Sequence, residues 1–324
     1  MRDPARTLSL HSRVALAATL GAATLAPAAP PEGAYADPKG VIAAAHRKQD
    51  DEIKAALMSP FTAIDAHYLE AGATVRVGAD GDKLVFDPTA PMAAMVAVSY
   101  ATGDFFASPI AGAKGATLRK STDEGGLVSG EGTAVASRTK IGEGEVVVLG
   151  RFILAISPQS GTGRVLVFDP ESPMKRAFTG LKWFPPDLDL QVGASFVPDP
   201  APNKITVGTS RGLKKEFVRA GTFEFEAGGV KQHLAVLAES GTPKDGDDIF
   251  IPFRDATTGK ESYDVGRYLN MKFKTAEARY IIDFNDAGNP SCNYSPYYNC
   301  PIPPAENTLT VPIRAGEMTY PAHH

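Results

Sequence analysis

Cysteines and long apolar runs are scarce in this sequence, and each scarcity excludes a class of protein. Two cysteines in 324 residues are too few for a disulfide-built scaffold or a four-cysteine zinc module. The apolar run near the N-terminus, Val14 to Ala26, is about thirteen residues long, well short of the roughly 20 that a helix needs to span a bilayer. Basic residues are not in excess either, with 33 Lys and Arg against 37 Asp and Glu. The pairs Lys175-Arg176 and Lys214-Lys215 are too short to make the clustered basic face that nucleic acid demands, so no nucleic-acid partner is expected. What remains, 43% hydrophobic and 22% charged residues, is an ordinary balance for a soluble globular chain that can bury a sizeable core.

The short apolar run has a context of its own. Arg2, Arg6 and Arg13 precede it, and small residues and prolines follow, which is the order of a secretory signal peptide. Cleavage sites fit after Ala28 and after Ala36; the second is favoured because Pro27 sits badly in the first and Asp37 makes a polar start. The expectation is a Sec-type signal peptide over residues 1–36 and a single β-rich domain over 37–324. The mature protein, with a net charge of about −5, would be secreted or held in the periplasm or cell envelope, without a stable membrane span. In that oxidising setting Cys292 and Cys300 read first as a disulfide closing the loop Asn293 to Asn299, with free thiols and a metal pair as the alternatives. No His lies close upstream to complete a zinc site, so no metal and no cofactor is expected.

From Pro38 to Leu57 apolar residues recur at helical spacing among charges, and Ser59-Pro60 ends the pattern. Beyond Ala73 the pattern becomes alternation bounded by glycine. Thr74–Gly78 and Lys83–Phe86 flank an Asp-Gly turn, and further β runs follow through Glu145–Ser157, Gly163–Asp169, Leu190–Pro198, Gln232–Ser240, Asp248–Asp255 and Leu309–Ile313. Without a second long helix the fold class is mainly β, an antiparallel sandwich or barrel-like domain with one N-terminal helix. The prolines between Pro170 and Pro186 suggest a linker, but Phe178, Trp183 and Phe184 among them argue for a packed crossover.

Two chemical templates fit only in part. Gly208-Thr209-Ser210-Arg211-Gly212 matches the G-x-S-x-G nucleophile elbow, yet the residues after it read as strand and turn where a helix is required. Asp283, Asn285 and Gly288 occupy positions 1, 3 and 6 of a calcium loop, but Ala287 and Tyr294 stand where oxygen ligands are needed. Asp283 and Asn285 therefore read as the end of a strand that ties the following loop through side-chain hydrogen bonds. In Phe253–Leu269, Arg267 suits either a buried pair with Asp255 or Asp283, or an anionic or sugar-like ligand beside tyrosines.

Three segments, Gly163–Pro185, Phe253–Leu269 and Asp283–Leu309 running on to Ala315-Gly316-Glu317, together resemble a bacterial family known as domain of unknown function 1684. Asp286, Gly288 and Ser291 depart from the residues usual there. The resemblance implies that the segments belong to one module, and it carries no activity over. If they converge, Arg164, Asp169, Trp183, Tyr263, Arg267, Asn285 and Glu317 would line a site for a polar small molecule or saccharide. Two other readings stay open: a hydrolase using Asp255 and Asp283 as paired carboxylates, and a structural or interaction protein whose polar groups are buried and bonded to one another.

Overall fold

The helix expected over 38–57 runs from Pro38 to Ala55 (α1) in the computed structural model, which describes residues 37–321 apart from 102, 160 and 275–278. The expected signal peptide, residues 1–36, lies outside the described residues. Asp37 caps α1 by accepting the Gly40 N–H at 2.9 Å, and Pro38, which has no N–H to satisfy, sits in the first turn. Only Ile42 and His46 of the helix are buried, so it lies on the surface and is held along a narrow stripe.

Eleven strands follow: β1 (Ala63–Leu69), β2 (Thr74–Asp80), β3 (Lys83–Phe86), β4 (Ala94–Ala101), β5 (Asp104–Pro109), β6 (Thr117–Lys120), β7 (Thr133–Ala134), β8 (Thr139–Ile141), β9 (Glu145–Leu149), β10 (Phe152–Gln159) and β11 (Thr162–Phe168). They make two antiparallel sheets, one in the order β1-β11-β10-β9-β6-β7 and one in the order β3-β2-β4-β5-β8. Val75, Val77, Val96 and Val98 of the second sheet share one core with Val147, Leu154, Val165 and Val167 of the first. The first sheet is also covered on its other face, where Ile153, Ala155, Leu166 and Phe168 pack. Burial on both faces explains why β10 and β11 read as nearly unbroken apolar runs.

A crossover containing α2 (Pro173–Ala177) leads to the second half. There β12 (Gln191–Gly208), β13 (Lys214–Ala227), β14 (Val230–Ala238), β15 (Asp248–Phe253), β16 (Arg267–Lys272) and β17 (Arg279–Asp283) form a third antiparallel sheet in the order β16-β15-β14-β13-β12-β17. The crossover is packed, as its aromatics imply, with Phe178 and Phe184 buried. The prolines from Pro198 to Pro202 lie inside β12, at an irregularity between its two stretches of pairing with β13. Leu309–Ile313, expected as a strand, is instead irregular chain laid over the third sheet, burying Leu309 and Ile313 with Phe253 and Phe284. Pro312 lacks an N–H, while Leu309 bonds back to the carbonyl of Arg254. The alternation there is real, but it serves a covering segment.

Candidate functional site

The segments that carry the family resemblance meet α1 at a seam organised by Asn285. Its side chain is fully buried; Nδ2 donates to the Asp187 carbonyl at 2.8 Å, while Oδ1 accepts the Asp187 N–H at 2.9 Å. Asp283, at the end of β17, accepts the Asn285 N–H at 2.9 Å and the Gln191 side-chain amide at 2.6 Å. The strand end thus fixes its own following loop, as the side-chain chemistry of Asp and Asn favours. The Asn285 carbonyl then bonds to Nε2 of His46 at 2.8 Å, so α1 is tied to the loop across 239 residues of sequence.

His46 stacks on Trp183 with ring centroids 3.9 Å apart and planes 6° from parallel. Asp50, one turn further along α1, accepts the Leu181 N–H at 3.0 Å and approaches the Trp183 indole N–H at 3.4 Å. Burial lowers the His46 pKa and raises that of Asp50, so the stacked ring favours its neutral form at physiological pH. Trp183 remains partly exposed between them.

Behind this seam lies Glu317, 1% exposed. One of its oxygens accepts the Asn289 N–H at 2.8 Å and the other accepts the Tyr294 hydroxyl. Burial pushes its carboxyl up to about 7, and the negative charge of Asp50 adds to the shift. Gly316 explains the Ala-Gly-Glu triplet: its φ is +75°, and a Cβ there would sit 2.5 Å from the Ala287 carbonyl. Only glycine lets the chain approach this closely and turn Glu317 inward.

A second cluster surrounds Arg267, whose guanidinium donates to the Ile313 carbonyl at 2.7 Å and to that of Ala315, with Asp255 at 3.5 Å. Asp255 also accepts the Ile313 N–H at 2.6 Å and the hydroxyls of Thr257 and Thr258. The side chains of this pair are 1% and 0% exposed. The geometry is that of a structural tie, in which the charges are paired and backbone groups and hydroxyls take most of their other bonds.

The third cluster holds the cysteines, which stand as free thiols. Cys292 N–H points at Cys300 Sγ at 3.3 Å, and the Tyr263 hydroxyl lies 3.1 Å from the Cys292 carbonyl and 3.6 Å from its sulfur. Ser210, the centre of the G-x-S-x-G match, exchanges bonds with Cys300: its N–H donates to the Cys300 carbonyl at 2.8 Å, and its hydroxyl accepts the Cys300 N–H at 3.0 Å. The match is the hairpin turn between β12 and β13, and it serves as a staple for the loop. Arg164, fully buried on β11, lies in the same neighbourhood beside Tyr68, Tyr298 and Cys300.

The expected residues therefore sort into separate groups. Trp183, Asn285, Asp283 and Glu317 gather at the α1 seam; Arg267 and Asp255 form the tie; Tyr263 and Arg164 flank the thiols. Asp169 stands apart, paired with Arg151 at 2.6 Å in the turn after β11. Asp255 and Asp283 have no bonding partner in common. Sequence reading missed His46, Asp50 and Tyr294 as members of the site. It also missed Asn307, whose buried amide bonds Ala235 of β14 and Pro252 of β15. Only the tertiary fold pairs these residues, and no local signal marked them.

Residues 176–318 match the family described as "Protein of unknown function (DUF1684)". Among solved structures, the chain is similar to an uncharacterized protein of Haloarcula marismortui determined by solution NMR. The two are 33% identical over 47% of this chain and 83% of that one, with a TM-score of 0.39. The search of curated proteins finds no match. The family match covers Trp183, both cysteines, the Asp255–Arg267 tie and Glu317; Asp50 and His46 of α1 lie before it.

Proposed function

Residues 176–318 carry a domain of the DUF1684 family, and from that premise we propose that this β-rich protein is exported and binds a polar small molecule or saccharide at the α1 seam. The observation that carries the reading is the partly exposed Trp183 ring. It is held rigid by His46 at 3.9 Å and flanked by the Asp50 carboxylate. A fixed aromatic face beside a carboxylate presents an apolar platform and a hydrogen-bond acceptor together, which suits the apolar face and hydroxyls of a sugar ring.

Trp183 is the sole tryptophan in the chain, so its fluorescence reports this site alone. Titration with a panel of mono- and oligosaccharides should give a saturable change in emission with at least one sugar. Asp50→Ala should weaken that response about tenfold or more, the loss expected when a charged acceptor of a ligand hydroxyl is removed. A flat response across the panel, with the protein folded, would overturn the reading.

The hydrolase alternative has less support. Asp255 spends its oxygens on Arg267, two hydroxyls and a backbone N–H, and Asp283 spends its own on Gln191 and Asn285. Export rests on the order of residues 1–36, and cleavage after Ala36 would leave Asp37 free to cap α1. Mass spectrometry of the native protein should find Asp37 at the N-terminus, and an intact residue 1–36 segment would remove the export half of the proposal.

A further inference from the structure

We propose that Cys292 and Cys300 are a reactive dithiol that closes by exchange with a small-molecule or protein disulfide, latching the 291–301 loop across the two halves of the fold. Three observations carry this. First, the two cysteines are in contact: Cys292 N–H reaches Cys300 Sγ at 3.3 Å, and the Tyr263 hydroxyl lies 3.6 Å from the Cys292 sulfur. Second, the two thiols differ in access, Cys292 being partly exposed and Cys300 buried. Third, the loop they bracket is one of the contacts between the halves. Tyr298 and Cys300 pack among Ile153, Ala155, Leu166 and Phe168 of the first sheet, while Tyr294 packs with Phe61 and Phe178.

The asymmetry sets the order of events. Hydrogen bonds from Cys300, Tyr263 and Ser210 hold the Cys292 thiol below its ordinary pKa, whereas the bond to Cys292 together with burial pushes Cys300 well above its own. The Cys292 thiolate attacks one sulfur of the incoming disulfide. A Cys292–S–S–R bond forms, the R–S–S–R bond breaks, and one thiol leaves with the proton that Cys292 gave up. Cys300 then loses its proton and attacks the Cys292 sulfur, releasing the second thiol. The net change is two protein thiols oxidised to one disulfide, and one external disulfide reduced to two thiols.

The test is incubation of the folded, full chain with glutathione disulfide, followed by alkylation and intact-mass measurement. Wild type should pass from two alkylatable thiols to none, with no glutathione retained. Cys300→Ser should instead accumulate one stable glutathione adduct on Cys292, and Cys292→Ser should stay unmodified while folded. The oxidised wild type should also melt several degrees above the reduced form. Two thiols that persist in the native protein but react once it is unfolded would overturn the proposal. So would an adduct on Cys300 in the Cys292→Ser variant, or an oxidised form that melts below the reduced one.

Discussion

Glu317 is a fully buried carboxyl whose protonation bears on stability. Its folded pKa, raised to about 7 by burial, exceeds the ordinary value of 4.5, so the folded state holds a proton that the unfolded chain releases earlier. Stability must then fall as pH rises from about 4.5 to about 7 and level off above that, with the full difference on the order of 3 kcal/mol. His46 slopes the other way, since its lowered pKa favours folding as pH rises, and Asp50 slopes with Glu317. The difference between wild type and Glu317→Gln isolates the glutamate. Thermal melts from pH 4.5 to 8 should show the variant losing less stability over that range; parallel curves would mean that Glu317 does not carry the proton. Arg267 poses the opposite case, a buried charge already paired. Arg267→Met should cost about 3–5 kcal/mol in urea unfolding, because Asp255 would remain buried without its cation and the Ile313 and Ala315 carbonyls without their donor. Arg267→Lys should recover little of that, since one ammonium cannot reproduce the guanidinium fork.

At the scale of elements, local pattern and long-range pairing divide what the sequence made legible. The hairpin of β2 and β3 was readable because alternation flanks Asp-Gly, and α1 was readable because its apolar spacing and Ser-Pro stop agree. β1 escaped notice because Asp65 and His67 break its apolar pattern, though it pairs with β11 along its length. Leu309–Ile313 misled in the other direction, since an irregular segment laid over a sheet can alternate as a strand does. The candidate site divided similarly. Asp283 and Asn285 were legible as a strand end, but their link to His46 spans 239 residues and left no local trace. That link makes α1 dependent on the 283–287 turn. Asn285→Ala removes the partner of the partly buried Asp187 N–H and one of the two donors to its carbonyl, and should cost about 1–3 kcal/mol. Trp183 emission should shift to the red as His46 loosens, while far-ultraviolet circular dichroism keeps its β signature. An unshifted emission maximum would show that α1 docks without Asn285.

For the molecule as a whole, the question is whether two cores behave as one domain. The first core lies between the two sheets of β1 to β11 and the second lies on the third sheet, and the two share no residue. Among the contacts that join them is a pair of small clusters to which one loop contributes. Tyr298 and Cys300 insert against the outer face of the first sheet, and Tyr294 packs with Phe61, Phe178 and Leu181 beneath α1. Tyr298, 3% exposed, is the largest buried side chain the loop commits to the first of these clusters. Tyr298→Ala should therefore cost about 3–5 kcal/mol, as truncation of a buried aromatic does, and most of that loss should fall on the coupling between the cores. Wild type should melt as one calorimetric transition, because each half would expose an apolar seam if it unfolded alone. In Tyr298→Ala the seam is weaker, so the transition should broaden or split in two. A single sharp transition at a lower Tm would place the coupling in the Tyr294 cluster instead. Closing Cys292 to Cys300 should restore part of the lost cooperativity in the variant, since the bond pins the same loop from within.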